Sequence, residues 1–311
     1  MKTNRLTLGF DTSIRLLLVT AWLLVDAQPL LAAEGKLDTT KIEQLTGVKG
    51  VLNTNEGVFK ITSPRTDVKI SVDGWPMPSF MGLASWAAFT EQKSDDVMVM
   101  GDTVLFQDEV NPVMSVALDN GLSVTALHNH FFYDEPKVYF MHISGMGEAD
   151  KLATAVRKVW DKIREIRAAN PMPGKTFSGV AMPATNSISG KTIESVLGVK
   201  GQANNGMFKV VIGRKTKMPC GCEMTKDMGV NTWAAFAGAD DNALVDGDFA
   251  VLEDELQSVL KSLRHDGINI VAIHSHMTQE NPRILFLHYW GRGHAADLTT
   301  ALKAALATQN K

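Results

Sequence analysis

The chain has 311 residues, which is enough for two ordinary domains or one large one. Its hydrophobic content of 45% and its charged content of 21% are those of a folded globular protein. The formal net charge of −3 argues against nucleic-acid binding, which usually requires a basic surface. We therefore expect a globular protein that does not bind nucleic acids, and a small-molecule ligand stays open as a partner.

The N-terminus has the pattern of an export signal. Basic residues precede a short apolar run, and the small residues Ala32 and Ala33 follow it before the polar Glu34. The run is shorter than the roughly 20 apolar residues that cross a bilayer. We predict a signal peptide over residues 1–33, no stable membrane anchor after cleavage, and a periplasmic or secreted mature protein; an uncleaved anchor is the alternative. The basic residues and the apolar run are Lys2, Arg5, Arg15 and Leu16–Val25.

The first half of the mature chain mixes helical and strand patterns. Apolar residues at helical spacing predict helices over 108–119 and 148–167. A turn signal at 133–136 predicts a hairpin between strands at 122–132 and 137–144. Helices combined with hairpins predict an α+β fold in which helices pack on an antiparallel sheet. The other predicted elements are a helix at 41–45 and strands at 58–61, 68–72, 86–92 and 97–105.

The second half of the chain repeats the first. IEQLTGVKG (Ile42–Gly50) recurs as IESVLGVKG (Ile193–Gly201). Two copies are too few for a solenoid, so we predict two tandem homologous repeats in a pseudo-two-fold arrangement. The predicted segments are repeat 36–168, a linker at 169–189 rich in Pro, Gly, Ser and Asn, and repeat 190–308. Further matches are Gly57–Ile61 with Gly206–Val210, Gly82–Phe89 with Gly229–Phe236, Gly101-Asp102 with Gly247-Asp248, and Asp108-Glu109 with Asp254-Glu255.

Six of the eight histidines form two equivalent triplets. ALHNHFFYDEPKVYFMHISGMG (Ala126–Gly147) returns as AIHSHMTQENPRILFLHYWGRG (Ala272–Gly293), with His-x-His before a turn and a third His after it. Residues i and i+2 of a strand share a face, and a tight turn places the third His across from the first two. Three imidazoles then converge as a divalent metal requires. The predicted ligands are His128, His130 and His142 in one repeat and His274, His276 and His288 in the other.

Two pairs of carboxylates are candidates for a fourth ligand or a general base. Asp134 and Glu280 occupy equivalent turn positions, four residues after the second His of each triplet. Glu109 and Glu255 open the helix before each hairpin, where the helix dipole alone also favours an acidic residue. We expect Asp134 and Glu280 as metal ligands and Glu109 and Glu255 as catalytic bases. Zinc is the first expectation for the metal, and iron, manganese and copper also fit these ligand types.

Two other motifs have a structural and a functional interpretation. Trp86 and Trp233, in the shared Trp-Ala-Ala-Phe, are assigned to the core, with a ligand cleft as the alternative. Cys220 and Cys222 are separated by one residue, so a disulfide between them would be atypical. We assign them to a surface loop, and a Cu(I) site with the nearby methionines is the alternative.

Taken together, the motifs resemble a known family. The repeated Gly-x-x-(Ser/Thr)-Trp-Ala-Ala-Phe, the Asp-Glu-opened helix and the histidine hairpin are similar to those of the LppY/LpqO family, exported bacterial proteins grouped as a domain of unknown function. The resemblance covers nearly all of the mature chain. It implies a bacterial envelope location and brings no established activity. The named members are lipoproteins, whereas this chain has no Cys near the signal end, so the lipid anchor is not carried over.

The sequence thus predicts an exported protein with a divalent-metal site in each repeat. Metal-assisted hydrolysis is the candidate activity, because a bound metal lowers the pKa of water. The alternative is a non-catalytic periplasmic protein that binds a metal or a small ligand, and purely structural histidines are a third interpretation. A site with an open coordination position beside a pocket would favour the enzyme, and a closed, fully ligated site would favour binding.

Overall fold

The computed structural model describes residues 37–92, 96–177 and 179–309. The predicted signal peptide, residues 1–33, lies outside the described residues. Among the helices that are described, none is both long enough and apolar enough to cross a lipid bilayer.

The first repeat combines an antiparallel sheet with three helices. The first helix begins after Asp38, whose carboxylate accepts a hydrogen bond from the Lys41 N–H at 2.9 Å. It ends at Gly47, whose φ of 71° is readily adopted by glycine. The elements are α1 (Thr39–Thr46), β1 (Gly50–Asn53), β2 (Val58–Pro64), β3 (Ser71–Val72), β4 (Trp75–Pro76), β5 (Ala84–Glu91), β6 (Val97–Phe106), α2 (Gln107–Asp119), β7 (Ser123–His128), β8 (Asp134–Glu135), β9 (Val138–Gly147) and α3 (Ala149–Ala169).

The second repeat follows the same order of elements. Its first helix again ends at a glycine, Gly198, with a φ of 71°. A single bridge between Lys217 and Asn281 stands where the first repeat has β8. The elements are α4 (Gly190–Leu197), β10 (Gly201–Asn204), β11 (Met207–Gly213), β12 (Thr216–Lys217), β13 (Glu223–Met224), β14 (Asn231–Ala239), β15 (Asn242–Leu252), α5 (Leu256–His265), β16 (Asn269–His274), β17 (Ile284–Gly293) and α6 (Ala295–Ala307).

Both repeats contribute six strands to one continuous twelve-stranded sheet. From the centre outward, the first repeat runs β7, β9, β6, β5, β2, β1, and the second runs β16, β17, β15, β14, β11, β10. The two halves meet where Leu127 of β7 pairs with Ile273 of β16. The identical order on either side confirms the predicted α+β fold of two tandem repeats with pseudo-two-fold symmetry.

The two faces of the sheet differ in what covers them. The main apolar core lies between one face and the helices, and Leu127, Met141 and Ile143 point into it. Their strand neighbours point to the opposite face, because side chains alternate along a strand. That second face carries His128 and His142 beside two small apolar clusters, one in each repeat. The clusters consist of Val68, Ile70, Leu83, Val104, Phe106, Val138 and Phe140, and of Val230, Ala250, Ile284 and Phe286.

A reciprocal pair of side-chain amides joins the repeats. Asn111 of α2 donates to the Ile270 carbonyl at 3.1 Å and accepts from the Ile270 N–H at 2.7 Å. Gln257 of α5 forms the same two bonds with Val124, at 2.8 Å and 2.9 Å. Val124 and Ile270 stand at equivalent register shifts in the central strands. Each helix therefore satisfies backbone groups at an irregularity in the strand of the other repeat.

We expect Asn111→Ala to lower the free energy of unfolding by about 1–3 kcal/mol, because the N–H and C=O of Ile270 lose their partner in a buried position. Urea denaturation followed by circular dichroism measures the change. Gln257→Ala removes the equivalent bonds and tests the same prediction. Gln202→Ala, at an exposed position of β10, is the control. An Asn111→Ala protein as stable as that control would contradict the view that the amide of Asn111 stabilises the strand at Ile270.

Two local sequence predictions differ from the structure. The strand predicted over 122–132 is too long, since β7 ends at His128. Asn129 then bends the chain by donating from Nδ2 to the Phe131 carbonyl at 2.8 Å. Cys220 and Cys222 form a disulfide within the turn that joins β12 to β13. A disulfide offers no thiolate, so the Cu(I) alternative has no support here.

Candidate metal centre

The three imidazoles of the first repeat converge on the face of the sheet opposite the helices. His142 in β9 pairs with Ala126 in β7, which brings its ring beside His128. The ring centroid of His128 lies 5.1 Å from that of His130 and 5.1 Å from that of His142. The Nε2 atoms of His128 and His142 are 3.1 Å apart. Two nitrogens bound to one tetrahedral zinc stand about 3.3 Å apart, so this spacing fits a shared ion.

A buried phenylalanine fixes the orientation of the middle histidine in each triplet. The ring of His130 stacks on Phe140 with centroids 3.3 Å apart and an interplanar angle of 4°. His276 stacks on Phe286 in the same manner, at 3.5 Å and 10°. Both phenylalanines are fully buried. The loop histidine is thereby positioned by packing, although it lies beyond the end of its strand.

An aspartate outside the predicted ligand set completes the first cluster. Asp102 of β6 stands directly opposite His142 in the β6–β9 register. Its side chain is buried, and the Oδ1 atom has no hydrogen-bond partner. A buried carboxylate oxygen without a partner is unfavourable unless a cation compensates it. The recurrence of Gly101-Asp102 as Gly247-Asp248 is the sequence signal that could have identified this residue.

The second repeat builds the same cluster. The His274 ring centroid lies 4.9 Å from that of His288 and 5.1 Å from that of His276. Asp248 pairs with His288 across β15 and β17, and its Oδ2 lies 3.3 Å from His276 Nε2. Among the described residues, Asp248, His274 and His276 form a group whose ligand atoms all lie within 4.8 Å of one another and could hold a metal ion.

Backbone carbonyl oxygens lie within hydrogen-bond distance of the Nδ1 atoms of two histidines in the second cluster. His276 Nδ1 lies 3.2 Å from the Gly229 carbonyl oxygen, and His288 Nδ1 lies 3.3 Å from that of Gly247. A proton on Nδ1 would donate to the carbonyl and leave the Nε2 lone pair free. This is the usual support of a metal-binding imidazole.

The electrostatics of both clusters favour a bound cation. Burial raises the pKa of the Asp102 and Asp248 carboxyls, and the neighbouring imidazoles offset this effect in part. Burial lowers the pKa of His130 and His274; the aspartate of each cluster opposes this shift in part, and the neighbouring imidazoles add to it. These two rings are therefore neutral at pH 7, which is the form that ligates metals. Three imidazoles and one carboxylate are a donor set that suits zinc and other divalent transition metals.

The structure gives the predicted ligands Asp134 and Glu280 a different role. Asp134 Oδ2 accepts from the Val138 N–H at 2.7 Å, and Glu280 Oε1 accepts from the Ile284 N–H at 3.2 Å. Val138 and Ile284 each stand four residues before the third histidine of their triplet, about 13 Å away along an extended strand. Both carboxylates therefore bind the backbone at the start of the return strand, four residues along that strand from the third histidine.

The predicted base Glu109 is part of a buried ion-pair network. Its Oε1 and Oε2 lie 3.0 Å and 2.7 Å from the two terminal nitrogens of Arg65, and Arg167 Nε lies 2.9 Å from Oε1. Oε2 also accepts from the Phe106 N–H at 2.8 Å. Phe106 stands four residues, or about 13 Å, beyond Asp102. Glu109 thus anchors the start of α2, next to a strand residue that lies about 13 Å from Asp102.

The predicted base Glu255 has the equivalent position in the second repeat. Its Oε2 accepts from the Leu252 N–H at 2.9 Å, and its carboxylate pairs with Arg214. Leu252 lies four residues beyond Asp248, which is about 13 Å along the strand. This carboxylate also braces the segment that leads into the following helix.

An open cleft of ≈550 Å³ lies beside the first cluster. Asp102 and His130 line one part of it, and Trp86 and Lys60 line another. Trp86 is only half-buried, so the assignment of this tryptophan to the core is wrong and the cleft alternative holds. Phe80, which is 97% exposed, also borders the cleft. The cluster is therefore accessible to a small molecule.

Comparisons with known proteins identify the family of the chain. No curated protein shows significant similarity to it. A solved structure of a double ringed trimeric shell protein from the RMM microcompartment is 12% identical, covers 79% of this chain and 95% of that chain, and has a TM-score of 0.18, which supports no inference. The family model described as Domain of Unknown Function (DUF1259) matches twice, at residues 40–162 and 191–308. The chain therefore belongs to the DUF1259 family and carries two copies of its domain in tandem.

Proposed function

We propose that the chain binds one divalent transition metal in each repeat, with zinc as the first expectation. The observation that carries this proposal is the pairing, in both repeats, of three converging imidazoles with a buried aspartate whose Oδ1 has no partner. Folding alone gives no reason to bury, in both repeats, a carboxylate oxygen without a partner beside three imidazoles. The proposed ligands are Asp102, His128, His130 and His142, and Asp248, His274, His276 and His288.

We propose metal-assisted hydrolysis of a small molecule as the activity. A bound divalent metal lowers the pKa of water and polarises a carbonyl or phosphoryl oxygen. Three imidazoles would leave a fourth position on a bound metal, and Asp102, which is paired with His142, would either fill it or accept a proton from a water held there. The cleft beside Asp102 and His130 supports catalysis, because a substrate has access to the site.

A non-catalytic binding protein is the second candidate. In the second repeat the Asp248 carboxylate lies 3.3 Å from His276, so it is close enough to act as a fourth protein ligand. Four protein ligands make a closed tetrahedral site, which is typical of structural metals. A bound metal with an exchangeable water would favour the enzyme, and one with four protein ligands would favour binding. X-ray absorption spectroscopy of the metal-loaded protein separates the two.

Metal content tests the proposal directly. Elemental mass spectrometry of the purified protein, after zinc reconstitution and removal of free metal, is expected to give about two metals per chain. Changing the three histidines of either triplet to alanine is expected to remove one metal. His265→Ala with His294→Ala, the two histidines outside the triplets, should leave both metals bound. A reconstituted wild-type protein without metal would overturn the proposal.

We also propose that the mature protein acts in the periplasm or outside the cell, as an exported protein of the LppY/LpqO type. The support is the basic and apolar pattern before Glu34. Cell fractionation and N-terminal sequencing are expected to give an exported protein that begins near Glu34. A full-length chain in the cytoplasm would contradict the export signal.

A further inference from the structure

A lysine lies over a tryptophan beside each histidine cluster. Lys60 Nζ is 4.4 Å from the ring centroid of Trp86, and Lys209 Nζ is 4.1 Å from that of Trp233. Each tryptophan stands directly opposite the aspartate of its cluster in the strand register, Trp86 opposite Asp102 and Trp233 opposite Asp248. Paired residues share a face of the sheet, so the histidine, the aspartate and the tryptophan form one row across it. The lysine, two residues before the partner of the tryptophan, lies diagonally to that row on the same face.

The positive charges of the two lysines are not neutralised by a carboxylate among the described residues. Neither ammonium forms an ion pair with a carboxylate in the part of the chain that the structure describes. Both side chains are exposed. The lysine occurs at the same strand position in both repeats, whereas its neighbours on the same face differ. Those neighbours are Val58 and Thr62 in the first repeat and Met207 and Val211 in the second.

In the first repeat one cleft reaches both the lysine and the proposed metal ligands. Lys60 and Trp86 line the same ≈550 Å³ space as Asp102 and His130. Volumes of roughly 300–1,000 Å³ are typical of small-molecule sites. A single small ligand in this cleft can therefore contact the ammonium and the metal position together, with the aromatic surfaces of Trp86 and Phe80 beside it.

We propose that the cleft of the first repeat binds a small flat molecule that bears an oxyanion, held between the Lys60 ammonium and the metal. This inference rests on the proposed metal function and specifies the ligand class of the same site. A divalent cation and an ammonium at two ends of one cleft repel each other unless an anion lies between them. Carboxylate and phosphate oxygens ligate such metals and accept hydrogen bonds from lysine. The tryptophan supplies an apolar wall for the flat part of the molecule.

The test uses the zinc-loaded full-length protein and three matched probes: phenyl phosphate, benzoate and the neutral benzyl alcohol. Isothermal titration and tryptophan fluorescence measure the affinities. At least one anion is expected to bind about tenfold or more tightly than the neutral probe, which is the effect of one charged hydrogen bond. Preference for phenyl phosphate identifies a phosphoryl ligand, and preference for benzoate identifies a carboxylate ligand.

Lys60→Met combined with Lys209→Met is expected to weaken binding of the preferred anion about tenfold to a hundredfold. The affinity for benzyl alcohol and the zinc content should not change. Both lysines are exposed, so the variant is expected to fold as the wild type does. Lys261→Met, an exposed position on α5 across the sheet from the clusters, is the control and should bind the anion normally.

Metal analysis of the same samples, made before any titration, separates the two proposals. A protein that takes up zinc but binds anion and alcohol equally overturns the ligand inference alone. So does a double lysine variant with unchanged anion affinity, and so does anion binding that is equally tight without zinc. A protein that takes up no zinc overturns the proposed function and, with it, the ligand inference.

Discussion

Asp248→Asn is expected to weaken zinc binding by the second repeat about 100-fold or more and, at the same time, to raise the melting temperature of the metal-free protein. Both effects follow from the same carboxylate. It is 2% exposed, its Oδ1 has no partner, and its Oδ2 lies 3.3 Å from His276. A neutral amide is easier to bury than a carboxylate that the imidazoles compensate only in part, so the metal-free fold gains stability. The bound metal loses an anionic ligand or neighbour, so the loaded site becomes weaker.

Competition with a chromophoric chelator measures the affinity, and thermal melts in excess chelator measure the metal-free stability. Asp102→Asn should act on the first site alone and leave one tightly bound metal. Asp297→Asn, an exposed aspartate on α6, is the control and should change neither quantity. A lower melting temperature of metal-free Asp248→Asn would mean that the carboxylate stabilises the fold by itself. Unchanged zinc affinity would show that the aspartate takes no part in zinc binding.

Glu109→Gln is expected to lower the free energy of unfolding by roughly 3–5 kcal/mol, the usual effect of breaking a buried ion pair by removing one partner. Glu109 is fully buried, and it forms ion pairs with the guanidinium groups of Arg65 and Arg167, which are buried with it. The neutral amide removes the fully buried counter-charge and leaves the two guanidinium groups only their partly exposed partners, Asp67 and Asp108. Chemical denaturation followed by circular dichroism measures the loss. The folded protein is still expected to bind two metals.

A surface ion pair provides the comparison for Glu109. Glu148 pairs with Lys151 at 2.8 Å, but both side chains are mostly exposed, so Glu148→Gln is expected to change stability by about 1 kcal/mol or less. A Glu109→Gln protein with the stability of the wild type and without metal would reverse our interpretation. It would return Glu109 to the role of metal-site base that its position in the sequence predicts.

The sequence predicts the repeats and the histidine hairpin because both depend on local patterns. Alternation places His128 on one strand face, and the turn brings His142 back beside it. The aspartate of each cluster depends instead on strand order. Asp102 lies in β6, which neighbours β9 because the sheet inserts β9 between β6 and β7. No local pattern determines that order. The sequence pattern of the hairpin therefore does not predict Asp102, which is distant from it along the chain, as a metal ligand.

The predicted bases show that a residue can recur in both repeats and still not belong to the metal centre. Glu109 recurs in both repeats and opens a helix, and these features suit a catalytic base as well as an ion pair. Its burial and its two arginine partners distinguish the roles, and Arg65 and Arg167 lie far from it in the sequence. Recurrence between the repeats thus identifies residues that matter, while only the three-dimensional contacts assign them to folding or to the metal centre.

The reciprocal amides between the repeats bear on how a half-length chain would behave. Alone, one repeat would leave β7 as an unprotected sheet edge and Val124 without the amide of Gln257. Two copies would restore both contacts by pairing about a two-fold axis, so a half-length chain is expected to be an obligate isologous homodimer. The present molecule corresponds to such a dimer fused into one polypeptide. Fusion allows each half to acquire features of its own, as the disulfide-closed turn in the second repeat illustrates.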